Sequence, residues 1–239
     1  MDTSMYDRLL KLPLFQGLSR NDLTEILEKV KVEFRNFAPN EYLAKQDDSC
    51  SELLFVINGR IRVCTRDKKH KFSLYETIDG DVQDDVLIEP SSLFGLRTSL
   101  WSSYKAETST NVLVIKKSYI LPLLCNYEIF NLNYFNVLSI RAQDLQQKIW
   151  DAHIGNTLQK IVSFLTQRCV FGSGPKELNI KMRDLAFLLN DTRNNISGIL
   201  NYLQEKGYVE LSRKVIKVNN LADLVLEAEK DVQASVSEQ

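Results

Sequence analysis

The stretch that most restricts the fold is Leu178 to Val218, LNIKMRDLAFLLNDTRNNISGILNYLQEKGYVELSRKVIKV. Met182, Leu185, Ala186 and Leu189 fall at i, i+3, i+4 and i+7, and Ile196, Ile199, Leu200 and Leu203 repeat a helical spacing. Each set lines one face of a helix. Asn190 and Asp191 lie between them and suit a turn and a helix start. The second helix keeps Arg193, Asn194, Ser197, Asn201 and Gln204 on its other face. Gly207 suits the position just past a helix end. Beyond it Val209 and Leu211, then Ile216 and Val218, alternate with polar residues around Ser212-Arg213-Lys214. That pattern predicts a hairpin with a basic tip. The whole stretch reads as a winged helix-turn-helix, whose second helix has the shape and side chains a DNA major groove accepts.

Total charge does not point to a partner, because the 239 residues carry a formal charge of −1. Its distribution does. From Gly155 to Asn220 the basic residues are Lys160, Arg168, Lys176, Lys181, Arg183, Arg193, Lys206, Arg213, Lys214 and Lys217. The acids there are only Glu177, Asp184, Asp191, Glu205 and Glu210. A basic C-terminal part on an otherwise acidic chain suggests nucleic acid at one end. Cys50, Cys64, Cys125 and Cys169 have no CxxC spacing. They therefore read as separate thiols in a reducing cytoplasm, rather than an iron–sulfur or zinc set. No secretory signal and no apolar run of membrane-spanning length is read, so the expected location is the cytoplasm.

Ser19 with Asp22 forms a capping-box pattern, and Leu23, Ile26, Leu27 and Val30 follow at helical spacing, which predicts a helix over 20–31. From Val32 the period becomes two. Ala38-Pro39-Asn40-Glu41 reads as a turn and Leu53–Ile57 as a strand. Asn58-Gly59 reads as a hairpin turn into Arg60–Val63. Another turn follows at Asp67-Lys68-Lys69, then Phe72, Leu74 and Ile78, and a last strand at Asn111–Ile115. Short strands with turns between them predict a small antiparallel barrel or jelly roll. The helical period returns from about 119 to 154. Phe135, Leu138, Ala142, Leu145, Ile149 and Ala152 form a heptad-like seam, which suits either packing within the domain or a coiled coil. Leu158, Ile161, Val162 and Leu165 mark a further helix, Phe171–Pro175 a loop, and the tail after a short helix at Leu221 reads as disordered over 231–239.

This order of parts resembles the CRP/FNR family of bacterial transcription regulators over nearly the whole chain. The similarity is carried by residues 12–19 (LPLFQGLS), by residues 57–63 (INGRIRV), and by residues 185–200 (LAFLLNDTRNNISGIL). The resemblance implies an α+β chain with three parts. Residues 1–130 would be a cyclic-nucleotide-binding-like jelly-roll sensor, 131–154 a dimerisation helix, and 155–239 a winged helix-turn-helix domain with a tail. It implies a homodimer joined through Phe135, Leu138, Ala142, Leu145 and Ile149. It also implies an inverted-repeat DNA site and RNA polymerase as partner. DNA contacts would come from Thr192, Arg193, Asn194, Ser197 and Asn201, with Lys181, Arg183, Arg213 and Lys214 holding the backbone. Thr192 would offer its hydroxyl and N–H to a phosphate, and Arg193 a bidentate contact to guanine.

The effector side departs from the family. Members that bind cyclic AMP carry F-G-E followed by R-S/T-A. Here Phe94-Gly95-Leu96-Arg97 leads to Ala106 with no such triplet between. Cyclic AMP is therefore disfavoured as effector, and an iron–sulfur cluster is disfavoured by the cysteine spacing. Haem stays open, with His70 and His153 the only histidines. Two rival functions share parts of this pattern: a ligand sensor that works through a protein partner, and a cupin-type metal enzyme. The second needs clustered histidines, and no nucleophile elbow, P-loop or dinucleotide fingerprint is present either. The expectation is a regulator, not an enzyme.

Overall fold

A computed structural model of the chain describes residues 9–81, 86–150 and 155–237. It divides into two compact units. The first is Met1–Arg62 with Ile78–Gln143, and the second is Val63–Thr77 with Asp144–Gln239. This division differs from three consecutive segments, because a hairpin from the strand-rich half falls with the C-terminal half. Among the described residues no helix is long and apolar enough to cross a membrane.

In the first unit, helix α1 (Arg20–Lys29) starts where the capping box places it. Ser19 Oγ accepts the Asp22 N–H at 3.1 Å, and Asp22 Oδ2 accepts the Ser19 N–H at 3.2 Å. Satisfying two orphan amides at once fixes the helix start. One sheet has the order β1 (Val32–Phe37), β8 (Thr110–Lys116), β3 (Glu52–Asn58), β6 (Val86–Ile88), with every pair antiparallel. The central strands carry unbroken apolar runs, Leu53–Val56 and Val112–Ile115, because they are buried on both faces. Strands β2 (Tyr42–Ala44) and β7 (Ser103–Ala106) pair antiparallel in the other sheet, to which β4 (Arg60–Asp67) also belongs. Leu9, Leu12, Leu14, Phe15, Leu23, Ile26 and Phe130 share one core with β3 and β8.

The Asn58-Gly59 expectation needs correction: β3 and β4 do not pair, and the dipeptide carries the chain from one sheet to the other. Asn58 Oδ1 instead accepts from the Asn111 N–H at 3.2 Å and the Asn111 amide at 2.9 Å. Gly59 has φ +89°, and a Cβ there would lie 2.5 Å from the Ser109 carbonyl oxygen. The glycine is required, but for a close crossing rather than a two-residue hairpin. Short strands β2, β6 and β7 had no periodic signal long enough to read.

After helix α2 (Lys117–Ile120) comes the long helix α3 (Glu128–Trp150). Phe130 and Tyr134 are its buried residues. Phe135, Leu145 and Ile149 are 57%, 57% and 74% exposed, Ala142 is exposed and Leu138 is partly buried. Positions 151–154 of the expected helix, with Ala152 and His153, lie outside the described residues.

In the second unit, β5 (Phe72–Asp79) pairs antiparallel with β9 (Lys176–Asn179), which pairs with β11 (Val215–Val218) and through it β10 (Val209–Ser212). Strand β9 was missed at the start of the 178–218 stretch, since Lys176, Leu178 and Ile180 supply too few residues for a clear period of two. Helix α4 (Thr157–Arg168) has a second capping box, Asn156 with Gln159. A Cβ on Gly155 (φ +139°) would fall on the Gln159 side chain, so that box needs glycine. Helices α5 (Met182–Leu188) and α6 (Arg193–Glu205) follow. Leu158, Ile161, Leu165, Leu185, Ile196, Leu200 and Leu203 meet in one core with Leu178, Ile216 and Val218. Helix α7 (Leu221–Ser237) runs through most of the segment expected to be disordered. Leu221, Leu224 and Ala228 anchor its start in the core, and no glycine or proline stops it afterwards.

One basic residue leaves the expected basic surface. Lys176 is buried and its Nζ lies 2.9 Å from Glu76 Oε2, both side chains 1% exposed. Glu76 also accepts the backbone N–H groups of Val170 (2.9 Å) and Phe171 (3.2 Å).

Candidate nucleic-acid interface

The candidate site is the outer face of α6. Ile196, Leu200 and Leu203 hold its inner face in the core. Arg193, Asn194 and Asn201 are exposed and Ser197 is partly exposed. Among the described residues Arg193 has no ion pair. Gly198 also faces open space, with nothing within 4 Å of an added Cβ. The helix ends in a Schellman pattern: Gly207 (φ +79°) gives its N–H to Gln204 O and Tyr208 gives its N–H to Leu203 O.

Its N-terminus is braced from three sides. Thr192 is the N-cap, its Oγ1 accepting the Asn195 N–H at 3.2 Å. The Thr192 backbone N–H is donated to Asp191 Oδ1 at 2.7 Å. The expectation that this N–H serves a DNA phosphate is therefore corrected: Asp191 already holds it. Asp191 further accepts from Asn195 Nδ2 (2.9 Å), Thr157 Oγ1 (2.8 Å) and Lys160 Nζ (3.2 Å). Bonds from the Thr157 hydroxyl, the Asn195 amide and the Thr192 N–H hold its carboxyl well below the usual carboxylate range. The sequence marks Asp191 as a turn and helix-start residue, not as the centre of a network. Its partners Thr157 and Lys160 come from another helix, so no local signal revealed the brace.

Of the residues expected to hold a DNA backbone, Lys181 and the hairpin tip lie close together. Lys181 is the exposed residue that opens α5. Arg213 and Lys214 form the two-residue tip between Ser212 and Val215, which are paired across the hairpin. Lys214 has φ +67°, and its carbonyl accepts the Ile180 N–H at 2.9 Å. That bond brings Lys181 beside the hairpin tip. Arg183 is exposed, with Nε 3.2 Å from Asp184 Oδ1. The site thus combines amide and guanidinium groups on one helix with lysine and arginine at a neighbouring turn.

The expected effector residues do not converge in the same way. Ala106 is buried, with its N–H and carbonyl bonded to Glu41 O and Asn40 N. Leu96 is fully exposed. Arg97 lies over the Trp101 ring at 3.6 Å and bonds Ser99. Phe94 meets the Tyr134 ring edge-on, 6.2 Å between centroids, with Gly95 (φ +97°) beside it. What the sequence reading missed is Glu89, 6% exposed, at φ +35°. Its carboxylate accepts from Trp101 N (2.8 Å), Ser102 N (3.0 Å), Ser92 Oγ (2.9 Å) and Tyr104 Oη (2.9 Å).

His70 is tied by Nδ1 to Asp67 at 2.7 Å within its own turn. The four cysteines are unpaired. Burial pushes the Cys169 thiol up to about 12.

Comparisons with known proteins agree with this architecture. Residues 34–127 match the cyclic nucleotide-binding domain family. Among solved structures, the chain is similar to a protein assigned to the CRP/FNR family of transcriptional regulators from Eubacterium rectale. That likeness has 18% identity and a TM-score of 0.53, and covers 90% of this chain and 97% of that one. It is also similar to the catabolite activator protein of Thermus thermophilus, at 20% identity and a TM-score of 0.48 over 90% and 97% of the two chains. No curated protein matches the sequence.

Proposed function

We propose that the chain is a CRP/FNR-family transcription regulator that binds DNA in a sequence-specific way as a homodimer. The observation that carries this reading is the exposed face of α6, Arg193, Asn194, Ser197 and Asn201, on a helix whose start is fixed by Thr192 and Asp191. A rigid helix with guanidinium and amide groups outward matches the donors and acceptors of base edges. Lys181, Arg183, Arg213 and Lys214 contribute sequence-independent phosphate contacts and a steep salt dependence. Phe135, Leu138, Ala142, Leu145 and Ile149 pair with the same residues of a second copy, and burying that seam presents two recognition helices. RNA polymerase is the partner this role implies. The protein is not an enzyme on this reading, and cyclic AMP is not its effector.

The test is selection of bound fragments from genomic DNA by the purified protein. The expected result is an enriched inverted repeat with half-sites roughly 10–10.5 bp apart, centre to centre, or a multiple of that. Binding without any enriched motif would overturn the proposal.

A further inference from the structure

The carboxylate of Glu89 sits in a site built for an anion. Four groups converge on it, all donors: two consecutive backbone N–H groups, from Trp101 and Ser102, and two hydroxyls, from Ser92 and Tyr104. No salt bridge reaches Glu89 among the described residues. Consecutive amides aimed at one point form an anion-binding concavity that needs no cation. The cradle lies wholly within residues 34–127, the part that matches a cyclic nucleotide-binding domain, and a cyclic nucleotide carries one phosphate anion. Its donors come from both sides of the Phe94–Arg97 turn. The occupant is thus the chain's own side chain, delivered from a backbone position (φ +35°) that a residue with a Cβ adopts at a cost.

We propose that Glu89 is a built-in anion that takes the place of a nucleotide phosphate, so that the sensor domain is filled without a phosphate-bearing ligand. The seat is also tied to the long helix. Pro90, the next residue, accepts a hydrogen bond from Tyr134 Oη at 2.9 Å, and Phe94 packs edge-on against the same ring. A seated Glu89 therefore fixes the local position of Tyr134 on α3. Regulation by a phosphate-bearing nucleotide at this cradle is lost, and the arrangement it would have induced is permanent.

The experiment is thermal melting of the full chain, without DNA, so its failure is separable from failure of the DNA-binding reading. Wild-type protein is titrated with inorganic phosphate and, separately, with cyclic AMP, beside Glu89→Gly, which removes the carboxylate and suits the positive φ. The wild-type Tm is expected to stay unchanged with both ligands. Glu89→Gly is expected to melt lower in phosphate-free buffer and to recover on the order of 2–4 °C with millimolar anion. Recovery with phosphate alone assigns the cradle to the anion. Recovery only with cyclic AMP assigns it to the nucleotide. If Glu89→Gly does not fold, Glu89→Asn, which carries no charge and belongs to the residue types that adopt positive φ most readily, carries the same test. A rise in the wild-type Tm with cyclic AMP would overturn the proposal, as would a folded variant that ignores both ligands.

Discussion

Two buried glutamates show how differently one side chain can be used. Glu76, in the second unit, accepts two backbone N–H groups and is neutralised by Lys176 at 2.9 Å. Glu89, in the first unit, also accepts two backbone N–H groups, but its other partners are hydroxyls. The first arrangement joins β5 to β9 and the start of the 170–175 loop. Its charge is met by a charge, so neither partner can be removed alone without cost. The second meets a charge with dipoles alone, which is how proteins hold exchangeable anions. The difference separates a structural joint from a site with an occupant.

The largest expected effect tests the joint. Lys176→Met should leave Glu76 unpaired and cost roughly 3–5 kcal/mol, read from urea denaturation. Pairing it with Glu76→Leu should restore most of that loss, because breaking a buried pair costs more than replacing it. A single variant as stable as wild type would show the pair to be idle. Glu89→Gln should cost less, about 1.5–3 kcal/mol, since the amide keeps one acceptor oxygen and forfeits charge-assisted bonds. A loss equal to that of Lys176→Met would erase the distinction between the two sites.

A smaller effect is expected at Asp191. Its carboxyl titrates below the usual range in the folded state, first through the Thr157 hydroxyl. A depressed folded pKa adds stability that is complete above the unfolded value of about 3.9 and fades as pH falls further. Asp191→Asn should therefore melt below wild type at pH 7, and the gap should narrow from about pH 4 towards pH 2. A constant gap across that range would remove the carboxylate from the brace.

Much of the second unit was legible because its signals are local. The stripes Met182–Leu189 and Ile196–Leu203, Gly207 and the alternation of Val209–Val218 each declare their element within a few residues, and all four appear where they were read. The cradle was illegible because its parts are far apart in sequence and carry no motif. Ser92 and Tyr104 look like ordinary polar residues until the fold brings them to Glu89. The same holds for Glu76, a strand residue facing inward whose lysine lies 100 positions away. Asn58-Gly59 failed for a related reason. The turn was real, but which sheet received the next strand depended on Asn111 and Ser109. The helical tail was misread because its buried anchors, Leu221 and Leu224, come before the polar segment that looked disordered.

On the proposed function, the outer face of α6 reads DNA. Its most direct measurement is the affinity ratio between selected target DNA and a scrambled sequence, for wild type and Arg193→Ala, with sedimentation to confirm the dimer. A retained dimer, nearly unchanged affinity for scrambled DNA and a ratio reduced by about 10-fold or more are expected, that ratio being the discrimination a bidentate arginine–guanine contact supplies. An undiminished ratio in the intact dimer would contradict it.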